Sequence, residues 1–226
     1  TGQFFDALVT VHEKAFDEPT LTDAPGAGPE AEAADDPLTQ GMSIEEIPID
    51  DSFWIGGKEA EDAVRSGCLH IVLTDAKINA DCAALPMILA AGAVHSHLVR
   101  RGLRTFTSLN VRSGECLDVH YAAVLVGVGA TTVNAYLAQE AIADRHARGL
   151  FGKLSLGQCL ANYKKAIDEG LLKVMSKMGI SVLSSYRGGC NFEAVGLSRS
   201  LVAEFFPGMP SRISGIGLRG VQEKVA

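Results

Sequence analysis

The sequence predicts an α/β fold: a partial or degenerate β/α barrel, with parallel strands alternating with helices, over residues 53–226. Three observations carry this. From Lys58 onward, apolar runs of strand length alternate with amphipathic stretches of helix length about five times, with short connections. The strand-length runs are continuously apolar, as expected where both faces of a parallel sheet are covered. A closed eight-stranded barrel needs about 200–250 residues or more, and only five or so units are visible, so an incomplete one is expected. An open doubly wound sheet is the competing geometry.

The elements follow in order. Residues 1–16 carry Phe4, Phe5, Leu8, Val9, Val11 and Phe16, whose spacings of three and four predict a short helix. Residues 17–52 read as an acidic, Pro/Gly-rich linker or surface loop, too poor in apolar side chains to offset its ordering entropy. The run 70–75 predicts a buried strand ending at Asp75, where a βα loop should begin. Residues 83–101 predict a helix, with Pro86 near its first turn, Arg100 and Arg101 at the negative end of its dipole, and Gly102 as the stop. Strands are predicted over 105–111, 131–134, 180–186 and 212–215. Helices are predicted over 120–127, 135–148, 162–178 (broken at Gly170), 197–206 and 218–225.

Composition excludes several classes of function. The net charge of −7 is concentrated: of 27 acids, eleven lie between Asp17 and Asp51 with no Lys or Arg among them, leaving 16 acids against 20 bases elsewhere. That small basic surplus, without interleaved aromatics, gives no nucleic-acid footprint. No apolar run approaches the ~20 residues that span a bilayer, and the N-terminus has Asp6 and no basic segment of a signal peptide. Cys68, Cys82, Cys116, Cys159 and Cys190 are an odd, scattered set without a C-x-x-C pair, which reads as reduced, buried thiols in a cytoplasmic protein. The chain starts at Thr1 rather than Met, so an excised segment is expected.

Four candidate sites stand beside plainer readings. Gly215-x-Gly217-x-x-Gly220 follows a strand and precedes a helix, so its N–H groups could approach a phosphate. A dinucleotide fingerprint also needs an acid ~20 residues further on, which the chain does not reach, and tight βα turns need glycine on backbone grounds alone. Gly127 and Gly129 give a weaker form of the same signal. His95 and His97 stand two apart on a helix and point away from each other, so with His120 they read as core or interface histidines and form no metal site. Cys190, after Arg187-Gly188-Gly189, has no visible base and reads as a structural thiol. Lys164, Lys165, Lys173 and Lys177 read as the solvated face of an amphipathic helix.

Longer strings carry a resemblance. LRTFTSLNVR (103–112) leads into DVHY (118–121), then VGATTVNAYLA (128–138), NYKKAI (162–167), GLLKVMSKMGI (170–180), SYRG (185–188), FEA (192–194) and SRI (211–213). In this order and spacing, residues 60–225 resemble the central domain of the glutamate synthase large (alpha) subunit. The resemblance implies a topology like that of an FMN-binding barrel, but without FMN. It places this domain between an N-terminal glutamine amidotransferase domain and an FMN-binding β/α barrel that precedes a β-helix. In such an enzyme, glutamine-derived ammonia adds to 2-oxoglutarate at the flavin. Electrons arrive through iron–sulfur clusters from a small subunit or from ferredoxin.

The resemblance carries no catalytic, cofactor-binding or metal-ligating position onto this chain, so the expectation for site residues is none. The function expected is a connecting block between the two active sites. Residues 185–192 and 211–220, taken to lie at strand C-termini, are expected to face the neighbouring domains. Two alternatives remain: an independent FMN- or phosphate-binding oxidoreductase barrel resting on Gly215, Gly217 and Gly220, and a stand-alone scaffold protein.

Overall fold

The computed structural model describes residues 44–48, 56–76 and 84–225. Its main sheet has four parallel strands in the order of the chain: β1 (Ile44–Pro48), β2 (His70–Thr74), β3 (Ser108–Arg112) and β4 (Thr132–Asn134). Ile44 stands opposite His70, His70 opposite Ser108, and Asn110 opposite Thr132. Each strand therefore neighbours the one before it, with no reversal of order. That is the winding of a β/α barrel, and it settles the choice against a doubly wound sheet, whose order reverses at a switch point. Helices α1 (Gly56–Arg65), α2 (Met87–Arg100) and α3 (Val119–Gly127) make the three connections.

Beyond β4 come α4 (Tyr136–Ala147), α5 (Leu156–Lys177) and the single turn α6 (Leu183–Tyr186). After them come β5 (Val195–Leu197), α7 (Arg199–Phe205), β6 (Ile213–Ile216) and α8 (Leu218–Val225). Strands β5 and β6 pair in parallel as a separate two-stranded sheet, so the barrel is not closed.

Closure would bury both faces of the main strands, and the open arrangement does not. Burial in β3 alternates residue by residue. Leu109 and Val111 are fully buried with Ile71 and Leu73 of β2 against Leu89, Val94 and Leu98 of α2 and Leu125 of α3. The opposite face carries His70, Val72, Ser108, Asn110 and Arg112, all half-buried. The expectation of two equally covered faces is thus corrected: among the described residues, one face packs against helices and the other is only half-buried.

Helix starts are specified locally. Ser155 and Gln158 form a reciprocal capping box at α5, while Asp118 and Ser198 accept the N–H groups of Tyr121 and Leu201 at α3 and α7. Helix α2 begins after Pro86, which has no side chain to cap with, and a distant residue substitutes: Glu115 Oε2 accepts Met87 N–H at 2.9 Å.

Four other expectations are corrected. Gly170 does not break a helix, since α5 runs unbroken for 22 residues. The glycine lies where α5 crosses α3, and a Cβ there would overlap both methyl groups of Val119. Residues 180–186 form no strand; they turn into α6, which Tyr186 anchors through a hydrogen bond from its hydroxyl to Ala123 O at 2.9 Å. Thr105 and Phe106 belong to a 3-10 turn before β3. Ile44–Pro48, inside the stretch read as a linker, is a strand. The helix expected over 1–16, the acidic stretch up to 43, and Cys82 lie outside the described residues.

Candidate functional site at the strand ends

In a parallel βα fold, chemistry collects where the strands end. Here the ends of β2, β3 and β4 converge on Asp75, which follows β2 and is buried. Its carboxylate accepts Ser113 Oγ–H at 2.9 Å and Gly114 N–H at 3.0 and 2.9 Å, both just beyond β3. Ser113 N–H reaches Asn134 O, at the end of β4. Burial first, then the charge of the nearby Asp75 carboxylate, raises the Tyr136 phenol above the usual range. The Arg112 guanidinium lies over the Tyr136 ring, 5.1 Å from its centre. This carboxylate has both oxygens engaged and ties the end of β2 to the residues just beyond β3.

The opposite edge, where the strands begin, is organised by Arg104. Its Nε donates to His95 Nδ1 at 3.0 Å, Nη1 to Thr107 O at 2.7 Å, and Nη2 to Gly129 O at 2.7 Å and Thr131 Oγ1 at 3.2 Å. Burial, then the charge of Arg187, lowers Arg104 to about 10. His95 is lowered to about 4 by burial, with Arg104 and Arg187 adding to it, so the ring is neutral and accepts at Nδ1.

His97 points elsewhere, to Glu61 of α1 at 2.8 Å, and Arg65 and Arg101 complete that surface cluster. The hydrogen bonds of Arg65 and then His97 hold the Glu61 carboxyl below its usual range. His120 is exposed on α3. The three histidines thus have separate environments, and among the described residues no group of three His, Cys, Asp or Glu side chains could hold a metal ion.

The remaining candidates resolve as follows. A Cβ on Gly215 would collide with the backbone of Gly196, so this glycine permits the contact of β6 with β5, and Gly220 brings α8 onto Ile216. Two of the three glycines that suggested a phosphate loop, Gly215 and Gly220, thus serve packing against Gly196 and Ile216. A Cβ on Gly127 would overlap Phe192, and one on Gly129 would overlap His95. Cys190 is half-buried with its thiol pKa raised by burial, and its N–H caps Gly127 O at the end of α3. Lys164 and Lys165 pair with Asp168 and Glu169 one turn along α5, and Lys173 and Lys177 are exposed.

Residues 185–192 are not at a strand C-terminus. Gly188 N–H bonds Val126 O, and Cys190 N–H bonds Gly127 O. Both carbonyls end α3, so the segment sits at the edge where strands begin. Within 211–220 all of β6 is exposed, and among the described residues Ile213 with Val195 of β5 leaves an apolar patch uncovered. The reading of the sequence singled out neither Arg104 nor Glu115. Their partners, main-chain groups and side chains alike, lie mostly in other elements of the fold, where no local pattern marks them.

These features define a βα-repeat domain whose strand ends are joined by its own side chains and whose last two strands lie open. A family model described as the glutamate synthase central domain matches residues 57–198, and the chain belongs to that family. It is 71% identical over 168 residues to the glutamate synthase (NADPH) large chain of Azospirillum brasilense, covering 74% of this chain and 11% of that one. It is 42% identical over 166 residues to the corresponding large chain of Bacillus subtilis, covering 74% of this chain and 11% of the relative. It is 39% identical over 181 residues to ferredoxin-dependent glutamate synthase 2 of Synechocystis, covering 74% and 12%. The chain therefore spans about a tenth of the length of these relatives. Among solved structures, a mutant flavocytochrome b2 with pyruvate bound is similar at a TM-score of 0.47 and 12% identity, over 80% of this chain and 39% of that one. No helix among the described residues is long and apolar enough to cross a membrane.

Proposed function

We propose that this chain is the connecting segment of a glutamate synthase large subunit and performs no chemistry of its own. In this reading the whole enzyme makes L-glutamate from 2-oxoglutarate and glutamine-derived ammonia in the cytoplasm. An amidotransferase domain and an FMN barrel flank the segment. FMN and the iron–sulfur clusters reside in other parts of the enzyme, and electrons come from a small subunit or ferredoxin. The observation that carries the reading is the closed network of Asp75, Ser113 and Gly114 at the strand ends, where a β/α enzyme would place its reacting groups. The Gly215, Gly217 and Gly220 backbone does not fit a flavin phosphate, because Gly215 already abuts Gly196. A rigid block suits the task, since ammonia escaping into bulk water would be lost between sites.

The test mixes the purified chain with FMN, glutamine and 2-oxoglutarate. Flavin should elute apart from the protein on gel filtration, and neither ammonia nor glutamate should accumulate. A retained flavin absorption band, or turnover, overturns the proposal in favour of an FMN-binding barrel.

A further inference from the structure

The edge where the strands begin gathers hydrogen-bond donors and positive charge around one imidazole. Arg104 gives all four of its hydrogen bonds to neutral acceptors: His95, Thr107, Gly129 and Thr131. Arg187 is exposed and, among the described residues, forms no hydrogen bond or ion pair. The charges acting on His95 are those of Arg104 and Arg187, and among the described residues no carboxylate offsets them. A half-buried guanidinium beside a second one is costly unless an anion compensates the pair.

His95 stands between the two arginines. Its Nδ1 accepts Arg104 Nε–H at 3.0 Å, so the proton of the neutral ring resides on Nε2. Gly188, next to Arg187 in the chain, lies against that side of the ring: a Cβ on it would stand 2.9 Å from His95 Nε2. Gly129 lies against the Nδ1 side, and a Cβ there would overlap the ring. Both glycines have positive φ, so side chains are disfavoured at the two positions that would cover the imidazole. Among the described residues Nε2–H has no acceptor. No buried side-chain nitrogen lacks a partner there, so this N–H opens to solvent.

We propose that Arg187 and the Nε2–H of His95 form a binding site for a small oxyanion, a phosphate or carboxylate group. Arg104 fixes the tautomer of the ring from its other side and adds its own charge. Guanidinium and imidazole N–H groups suit the oxygens of an anion and offer nothing to a cation. Arg187, engaged by no other group among the described residues, is the member that can turn onto the ligand. The site binds without reacting, so it stands or falls separately from the connecting role.

The test follows the imidazole Cε1–H signals of the full chain by NMR at about pH 7, where His95 is neutral. Inorganic phosphate or acetate replaces chloride at constant ionic strength, so that screening does not change. His95→Asn assigns the His95 signal, and His120, exposed on α3, is the internal reference. At least one of the two anions should move the His95 signal saturably, with half-saturation at about 0.1–10 mM, the range a few charge-assisted hydrogen bonds support. Tighter binding of phosphate assigns the site to phosphate groups, and tighter binding of acetate assigns it to carboxylates. Arg187→Gln should weaken binding about tenfold or more, while Arg187→Lys retains most of it; unchanged thermal melts will show that both variants fold. The proposal is overturned if neither anion moves the signal saturably, if His120 moves equally, or if Arg187→Gln binds as the native chain does.

Discussion

Replacing Gly170 with Ala sets two known effects against each other, and the structure decides the sign. In an exposed helix the substitution stabilises by up to about 1 kcal/mol, because alanine loses less backbone freedom on folding. In α5 the new Cβ would overlap both Val119 methyl groups and stand 3.0 Å from Val119 Cβ. Rotating the valine does not remove the second conflict, so α3 and α5 must move apart. Forcing an extra carbon into such a contact costs about 1–3 kcal/mol. The net expectation is a loss of roughly 0.5–2 kcal/mol. With a urea dependence of about 2.5 kcal/mol per molar, the unfolding midpoint should fall by roughly 0.2–0.8 M. In the Val119→Ala background the same substitution should cost little or turn stabilising, and a double-mutant cycle reports the coupling directly. A midpoint that rises in the otherwise native chain refutes the close crossing and returns Gly170 to the role of helix breaker.

Three further outcomes follow from the two strand edges and the core. Asp75→Ala leaves the buried Ser113 hydroxyl and Gly114 N–H without acceptors; it should cost about 2–3 kcal/mol and lower Tm by roughly 5–10 °C, and an unchanged melt contradicts the network. His95, lowered to about 4, takes up its proton more readily unfolded, near ~6.5. Its contribution to stability is therefore complete above about pH 6.5 and lost as the pH falls toward 4. The shift is discounted by about half for the ring's partial exposure, leaving roughly 1–2 kcal/mol. His95→Asn should flatten urea midpoints across that window, and an unaltered slope counts against the assignment. The Cys116 thiol, pushed up to about 12 by burial and then Asp118, should alkylate at pH 8 about a thousandfold or more slowly than a free cysteine; mass spectrometry of the folded chain should find Cys190 modified before Cys68, Cys116 and Cys159.

What the sequence disclosed follows from how local each signal was. The succession from β2 to α4 was legible because each strand and helix there is written in a contiguous apolar or amphipathic run, with boundaries shifted by only a few residues. Gly170 misled because a helix break and a tight helix crossing both call for glycine. The run 180–186 has the β-branched and aromatic content of a strand. Its fate was decided instead by Tyr186 reaching Ala123 and by the carbonyls of Val126 and Gly127, which accept Gly188 and Cys190 N–H at the end of α3. Strand β1 went unseen because a short run holding Glu45 and Glu46 gains its stability only from pairing with β2. At the candidate site Asp75 was visible as the end of a strand. Its partners lie 38 and 39 residues away, beyond the reach of any local pattern. Arg104 had no local signature, since half its acceptors are main-chain carbonyls and its side-chain acceptors, His95 and Thr131, stand 9 and 27 residues away.

The sequential order of the main sheet also bears on how the chain acquires its shape. Each new strand finds its partner in the segment synthesised immediately before it, so the sheet can grow one unit at a time as the polypeptide emerges, without waiting for distant residues. The β5–β6 pair breaks that rhythm. Two strands alone are marginally stable in water, and this pair leaves Val195 and Ile213 uncovered. Maturation should therefore end at β5 and β6, which become firm when a neighbouring surface arrives to cover them.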